Sequence, residues 1–358
     1  MSIRITTLLL RTSFQTKPRI AQFNSYFQRY TMASIPTTMK AAQYSKNGGV
    51  EILQYTDVSV PKPKDNEVLV KNEYVGLNYI DIYYRTGLYS APLPQITGRE
   101  AEGTVVALGA STPGIKIGDR VAYLHESTGA EYTAVPAAKV YTIPATIAPG
   151  VAAASLLQGL TALTLIREAH YVKKGDWVLV HAAAGGVGLL LVQLLKAVGA
   201  RVIGTSSSKE KLELARENGV EFPVNYKDDD VVARVKEITG GEGVRVVFDS
   251  TGKDQFDNDL QVVTRKGSIV SFGNSSGKVP PISLDVLAAK NLKLLRPRLF
   301  NYITTREEFE RYTGELFEFI TKGQLNVKIH ETYPLADVAR AHTDIESRKT
   351  SGKLLFKV

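Results

Sequence analysis

The chain has 358 residues, 44% hydrophobic and 22% charged, which reads as soluble and globular and long enough for two domains with separate cores. It has no cysteine, which excludes disulfides, thiolate metal sites and a cysteine nucleophile, and no apolar run reaches the ~18 to 20 residues needed to span a bilayer. The formal net charge is +8, but residues 1–38 hold Arg4, Arg11, Lys17, Arg19 and Arg29 and no acid, leaving +3 for the rest.

That N-terminal segment is also rich in Ser and Thr interleaved with apolar residues, the composition of a mitochondrial transit peptide. A disordered tail of no consequence is the alternative. Met32 and Met39 both precede the first strand, so internal initiation would give a cytoplasmic form. Fold reasoning therefore starts at residue 39.

From Met39 to about residue 145, short runs rich in Val, Tyr, Thr and Ile alternate with Gly, Pro, Asn and Asp, predicting a compact β-barrel-like domain. Residues 148–169 read as a helix. Strands follow at 177–181, 201–205, 221–225, 245–249, 268–272 and 291–295, separated by helical stretches such as 209–218, 229–239 and 255–264. This alternation predicts a doubly wound parallel sheet of Rossmann type. Beyond about Pro297, helices at 306–322 and 335–346 and strands at 327–331 and 353–358 are too few for a third domain. The tail is expected to return to the first domain, with the nucleotide domain inserted. The expected segments are 1–38 for targeting, 39–160 and 301–358 for the catalytic domain, and 161–300 for the Rossmann domain.

The clearest chemistry lies between the strand at Trp177 and the helix after Val187. Ala183-Ala184-Gly185-Gly186-Val187-Gly188 is the dinucleotide fingerprint with Ala in place of its first Gly. Small residues let the backbone approach a pyrophosphate, which rests on the helix N-terminus. About 20 residues on, a NAD site carries an acid for the ribose hydroxyls. This chain has Ser206-Ser207-Ser208-Lys209-Glu210-Lys211 instead, and hydroxyls with two lysines favour the 2′-phosphate of NADPH. The same serines also suit a helix cap, and Glu210 weighs against the phosphate.

In the first domain, residues 75–89 concentrate Asn78, Asp81, Tyr79, Tyr83, Tyr84 and Tyr89, which can hydrogen-bond to or stack on a planar acceptor. No pair among the five histidines has metal-ligand spacing, and no Gly-x-Ser-x-Gly elbow is present. Hydride or electron transfer from a cofactor remains.

These residues resemble the quinone oxidoreductase (zeta-crystallin) branch of the medium-chain dehydrogenase/reductase superfamily, over essentially all of residues 39–358. The resemblance rests on Gly175-Asp176, Leu179, Ala183 to Gly186, Gly188, Gln193 and Lys196. Asn78-x-x-Asp81 with Tyr83, Arg85, Gly87 and Tyr89 also fits, as do Phe272 to Gly277, Arg296-Pro297 and Ser347 to Lys353. It implies a GroES-like β-barrel catalytic domain holding an inserted Rossmann domain, zinc-free chemistry, NADPH as cofactor and a homodimer. By resemblance, Asn78, Tyr83 and Tyr89 would line the quinone site. Lys211, Tyr226 and Arg348, with Ser207, would surround the 2′-phosphate. Phe272, Gly273, Asn274 and Ser275 would approach the nicotinamide, with Asp81, Thr161 and Gly185 to Gly188 completing the cofactor contacts. The zinc alcohol dehydrogenases of the superfamily carry Gly-His-Glu where this chain has Gly98-Arg99-Glu100, so Arg99 replaces a zinc ligand.

The expectation is metal-independent reduction of quinones by NADPH, extending to α,β-unsaturated carbonyls, with no membrane partner. Two rivals stand beside it. One is an AU-rich RNA binder that also holds NADPH, using Arg296, Arg298 and the basic residues around 348–353. The other is a non-catalytic, crystallin-like NADPH-binding protein.

Overall fold

The computed structural model describes residues 35–358. The stretch of the transit-like segment up to Ser34, Met32 included, lies outside the described residues. Pro36 to Val358 form one compact unit.

The strands open with β1 (Thr38–Tyr44), β2 (Gln54–Ser59) and β3 (Glu67–Leu77), followed by a short helix α1 (Tyr79–Arg85) and β4 (Gln95–Ile96). Then come β5 (Glu100–Leu108), β6 (Arg120–Leu124), β7 (Tyr132–Pro136) and β8 (Val140–Thr142). β1 lies between β2 and β4, while β3, β5, β6 and β8 form an antiparallel run, with β7 also on β3. Alternating Val and Tyr residues of these strands close one apolar core around Val70, Val105, Val121 and Tyr123.

Helix α2 (Val151–Thr164) starts after Gly150, whose φ of 85° suits glycine. The Glu102 carboxylate on β5 accepts the N–H groups of Gly150 at 2.6 Å and Ala153 at 3.0 Å, joining the barrel to the helix start. The single helix expected over 148–169 is shorter, because its last turn, Leu165–Ala169, widens to a π-turn.

The nucleotide sheet then builds from β9 (Trp177–Val180), α3 (Gly186–Val198), β10 (Arg201–Ser206), α4 (Lys209–Asn218), β11 (Phe222–Asn225) and α5 (Val231–Ile238). It continues through β12 (Val244–Asp249), α6 (Phe256–Val262), β13 (Val263–Ser271), α7 (Asp285–Ala288) and β14 (Lys293–Leu295). Its order is β11-β10-β9-β12-β13-β14, all parallel. The order reverses between β9 and β12, so a crevice opens at their C-terminal ends, where such sheets bind ligands.

The chain ends with α8 (Arg306–Thr321), β15 (Ile329–Pro334), α9 (Val338–Glu346) and β16 (Lys353–Lys357). β16 pairs antiparallel with β3, and β15 extends that sheet beside it. The last strand therefore adds to the sheet that residues 67–142 began. Its four buried residues, Lys353 to Phe356, are flanked on both faces, which is why the run does not alternate polar and apolar.

Candidate active site

A cavity of about 530 Å³ opens at the sheet crevice and runs from the start of α3 to the tyrosines of α1. Asn78, Tyr83, Tyr89, Thr161, Gly185 to Gly188, Ser207, Lys211, Tyr226, Phe272, Gly273, Ser275 and Arg348 all line it. Asp81 and Asn274 do not.

At one end, α3 begins at Gly185 with no side-chain cap, whereas Ser208, Asp230 and Thr305 cap α4, α5 and α8. The first-turn N–H groups of a helix have no partner within it, so those of α3 are left for an anion in the cavity. A Cβ on Gly185 would meet only the Ala182 carbonyl oxygen, at 3.1 Å, so this residue faces open space. At Gly188 a Cβ would lie 2.3 Å from that same oxygen, so only glycine lets the helix pack onto the turn. Both observations fit a dinucleotide pyrophosphate.

The serine loop divides its two expected roles among its residues. Ser208 caps α4, its hydroxyl accepting the Lys211 N–H, while Ser206 and Ser207 face the cavity. The Lys211 ammonium donates to the Arg348 carbonyl at 2.6 Å, and the Arg348 guanidinium donates to the Ser275 carbonyl at 2.6 Å. Burial, then Lys227, pushes the Lys211 pKa down, a disfavoured charge that a phosphate would offset. Glu210 lies outside the cavity, and its own N–H and the Ser208 hydroxyl hold its carboxyl low. It is turned onto its helix start and does not line the cavity.

The other end is aromatic. Tyr83 meets Tyr79 edge-on at 5.5 Å and Tyr89 at 5.2 Å, and Tyr84 meets Tyr89 at 5.7 Å. The Tyr83 hydroxyl accepts the Asn274 N–H at 2.8 Å, and burial raises its pKa far above the ordinary tyrosine value. The phenol is therefore neutral with its own proton available to donate.

Two residues expected at the cofactor do not line the cavity. Asp81, expected at the cofactor, is a buried residue of the first turn of α1 and accepts the Asn78 N–H at 2.8 Å in a capping box. Burial pushes its pKa up to about 6. Asn274 acts through its backbone on Tyr83, and its side chain does not line the cavity.

Sequence reasoning missed the cluster behind Asn78. The Lys353 ammonium donates to the Asn78 Oδ1 at 2.7 Å and to Glu100, whose Oε1 also accepts the Asn78 Nδ2 at 2.6 Å. The second Glu100 oxygen accepts the Leu157 N–H at 2.7 Å. One Asn78 amide hydrogen is left with only the Gly76 carbonyl, at 3.4 Å, so the side chain is fixed and keeps one donor. Lys353 and Glu100 are fully buried, which corrects the reading of Lys353 as part of a basic surface edge. The only available signal is a lysine that opens a short strand closed by a second lysine, a pattern shared by many surface strands.

Two other polar residues sit near the cavity. His181 contacts the Thr205 hydroxyl at 2.9 Å and Asp259 at 2.8 Å. Arg99 stacks on Tyr84 at 4.0 Å and pairs with Glu126 at 3.2 Å. Among the described residues, no group of three His, Cys, Asp or Glu is arranged to hold a metal ion.

Comparison with known proteins agrees with this geometry. Residues 64–145 match the alcohol dehydrogenase GroES-like domain, and residues 186–318 match the zinc-binding dehydrogenase family. A probable quinone oxidoreductase of Schizosaccharomyces pombe is 47% identical over 88% of this chain and 95% of its own length. The 2-haloacrylate reductase of a Burkholderia species is 35% identical over 88% of this chain and 98% of its own. The crystal structure of Escherichia coli quinone oxidoreductase complexed with NADPH superposes with a TM-score of 0.87 at 43% identity, covering 89% of this chain and all of that one. The fold is that of the medium-chain dehydrogenases/reductases, a GroES-like domain joined to a Rossmann domain, and the chain belongs to the quinone oxidoreductase branch of that superfamily.

Proposed function

We propose that this protein reduces quinones with NADPH and without zinc. One observation carries the reading: a single cavity joins an uncapped helix start, with Ser207, Lys211 and Arg348 beside it, to a wall of tyrosines. Gly185 to Gly188 hold the pyrophosphate, and Ser207, Lys211, Tyr226 and Arg348 hold the 2′-phosphate. Thr161, Phe272, Gly273 and Ser275 line the path toward the nicotinamide. When bound, NADPH supplies the hydride or electrons. Tyr83 and Tyr89 flank a flat acceptor, and the Asn78 amide and Tyr83 hydroxyl donate to an oxygen that gains charge. Arg99, standing where zinc relatives carry histidine, is engaged with Tyr84 and Glu126.

Oxidation of NADPH by 9,10-phenanthrenequinone and by a medium-chain alkenal tests this reading. The alkenal arm addresses α,β-unsaturated carbonyls, a second substrate class supported by the haloacrylate reductase relative. Inactivity on both with intact NADPH binding would favour the non-catalytic, crystallin-like alternative. The RNA reading has less support, because Arg296 donates to the Ser271 and Gly273 carbonyls, Arg348 to Ser275, and Lys353 is buried. Gel shifts with an AU-rich oligonucleotide at rising salt address it.

The assembly we propose is a homodimer formed through β14, whose outer edge has no partner strand among the described residues. Leu295 on that strand and Leu284 and Val286 before it are exposed. Light scattering on the purified chain reads the oligomeric state directly. For location, we propose that residues 1–38 direct a mitochondrial form and that initiation at Met39 gives a cytoplasmic one. Met39 is buried against Ala41 and Ala130, so a shorter form that keeps Met39 retains that packing. Reporter fusions with and without residues 1–38 distinguish the two.

A further inference from the structure

Three cations line the cavity: Lys211, Arg348 and Arg298. Under the proposed function the first two belong to the 2′-phosphate, and both already make hydrogen bonds within the protein. Arg298 is different. Its backbone is anchored, because Pro297 precedes it and its carbonyl accepts the Asn301 N–H at 3.0 Å. Its guanidinium has no hydrogen bond or ion pair among the described residues. It lies 5.7 Å from the centre of the Tyr89 ring, at the tyrosine end of the cavity. The neighbouring Arg296 marks the contrast, since its donors are taken by the Ser271 and Gly273 carbonyls at 2.9 and 2.8 Å and by the Tyr89 hydroxyl at 3.4 Å. The one carboxylate among the lining residues is Asp254, on the segment after β12 on the nucleotide side. An unpaired positive charge thus stands beside the acceptor wall with nothing of opposite sign on that wall.

We propose that Arg298 is a specificity-determining residue, and that the planar acceptor taken by this site carries a carboxylate or other anionic substituent. The inference rests on the quinone-reductase reading, which supplies a flat ring against Tyr83 and Tyr89. A carboxylate on that ring would meet the guanidinium in a charge-assisted, bidentate pair. The pair forms at the cavity mouth, so it discriminates between acceptors and takes no part in the redox step.

The test compares anthraquinone-2-carboxylate with anthraquinone-2-carboxamide, which share one shape and differ in charge. Calorimetric titration into the full-length protein saturated with NADP+ needs no turnover. Its result therefore stands apart from the phenanthrenequinone assay, whose failure would sink the quinone-reductase reading by itself. The wild-type protein is expected to bind the carboxylate more tightly. Arg298→Gln should lower the carboxylate-to-amide affinity ratio about tenfold or more, and Arg298→Lys should retain part of the preference. Raising the salt should narrow the gap. A ratio that Arg298→Gln leaves unchanged overturns the proposal, as does failure of both compounds to bind. Weaker NADP+ binding in Arg298→Gln with an unchanged ratio would assign the guanidinium to the cofactor instead.

Discussion

The Tyr83 hydroxyl and the Asn274 backbone N–H, 191 residues apart in sequence, meet in a hydrogen bond of 2.8 Å. The contact ties α1, which carries the tyrosine wall, to the loop after β13 that lines the middle of the cavity. It fixes both the orientation of the phenol and the path of residues 272–275.

Tyr83→Phe keeps the ring and removes the acceptor, leaving the Asn274 N–H buried and unpaired. The expected cost is about 1–3 kcal/mol of stability. Quinone turnover should fall further than NADPH affinity, because Tyr83 lines the tyrosine end of the cavity, where the acceptor is proposed to lie. Thermal unfolding and steady-state kinetics read the two effects separately, and unchanged values for both would remove Tyr83 from the site.

Lys353→Met leaves the Glu100 carboxylate buried without its counter-charge. Breaking a buried pair from one side costs roughly 3–5 kcal/mol. Urea unfolding should show that loss, and the double variant with Glu100→Gln should recover part of it. Burial pushes the Lys353 pKa down against the opposing pull of Glu100, so the pair acts as a unit. Additive losses in the two single variants would contradict the coupling.

His342 in α9 is buried with no partner at either ring nitrogen among the described residues, and burial, then Arg85, pushes its pKa down to about 3. The unfolded chain takes up a proton below the ordinary histidine value of 6.5, whereas the folded chain does not until about 3. Stability therefore falls as pH drops through that window, by up to about 1.4 kcal/mol per pH unit. His342→Leu removes this term. Between pH 7.5 and pH 5 the variant should gain about 2 kcal/mol relative to wild type in chemical unfolding. Parallel stability curves would show that the imidazole is protonated in the fold.

Lys211→Met removes one of the cations assigned to the 2′-phosphate. The KM for NADPH should rise about tenfold to a hundredfold, while the KM for NADH moves little. Equal shifts for the two cofactors would place Lys211 elsewhere in the site.

Much of this site is local in sequence and was legible there. The glycine run marks the start of α3 because its strand, tight turn and helix are contiguous. Ser206, Ser207 and Lys211 line the same end of the cavity because they lie at and just after the end of β10. The tyrosines gather because α1 and the turn after it span a dozen residues. Asp81 sits in the same local run, and its carboxylate caps its own helix. Asn78 lines the cavity, and its immobilisation by Glu100 and Lys353 is not visible in the sequence.

The sequence by itself determined the alternating strands and helices of the nucleotide domain, the anion-binding turn and the absence of thiolate ligands, since each depends on neighbouring residues or on composition. Tertiary structure alone decided that Lys353 reaches Glu100 and Asn78, that Asn274 fixes Tyr83, and that Arg298 stands beside Tyr89 with no ion pair among the described residues. These contacts arise where β16 pairs with β3 and where the loops after β13 and β14 turn toward α1. Hydrophobic periodicity records which face of an element is buried, and it carries no information about which distant element covers that face.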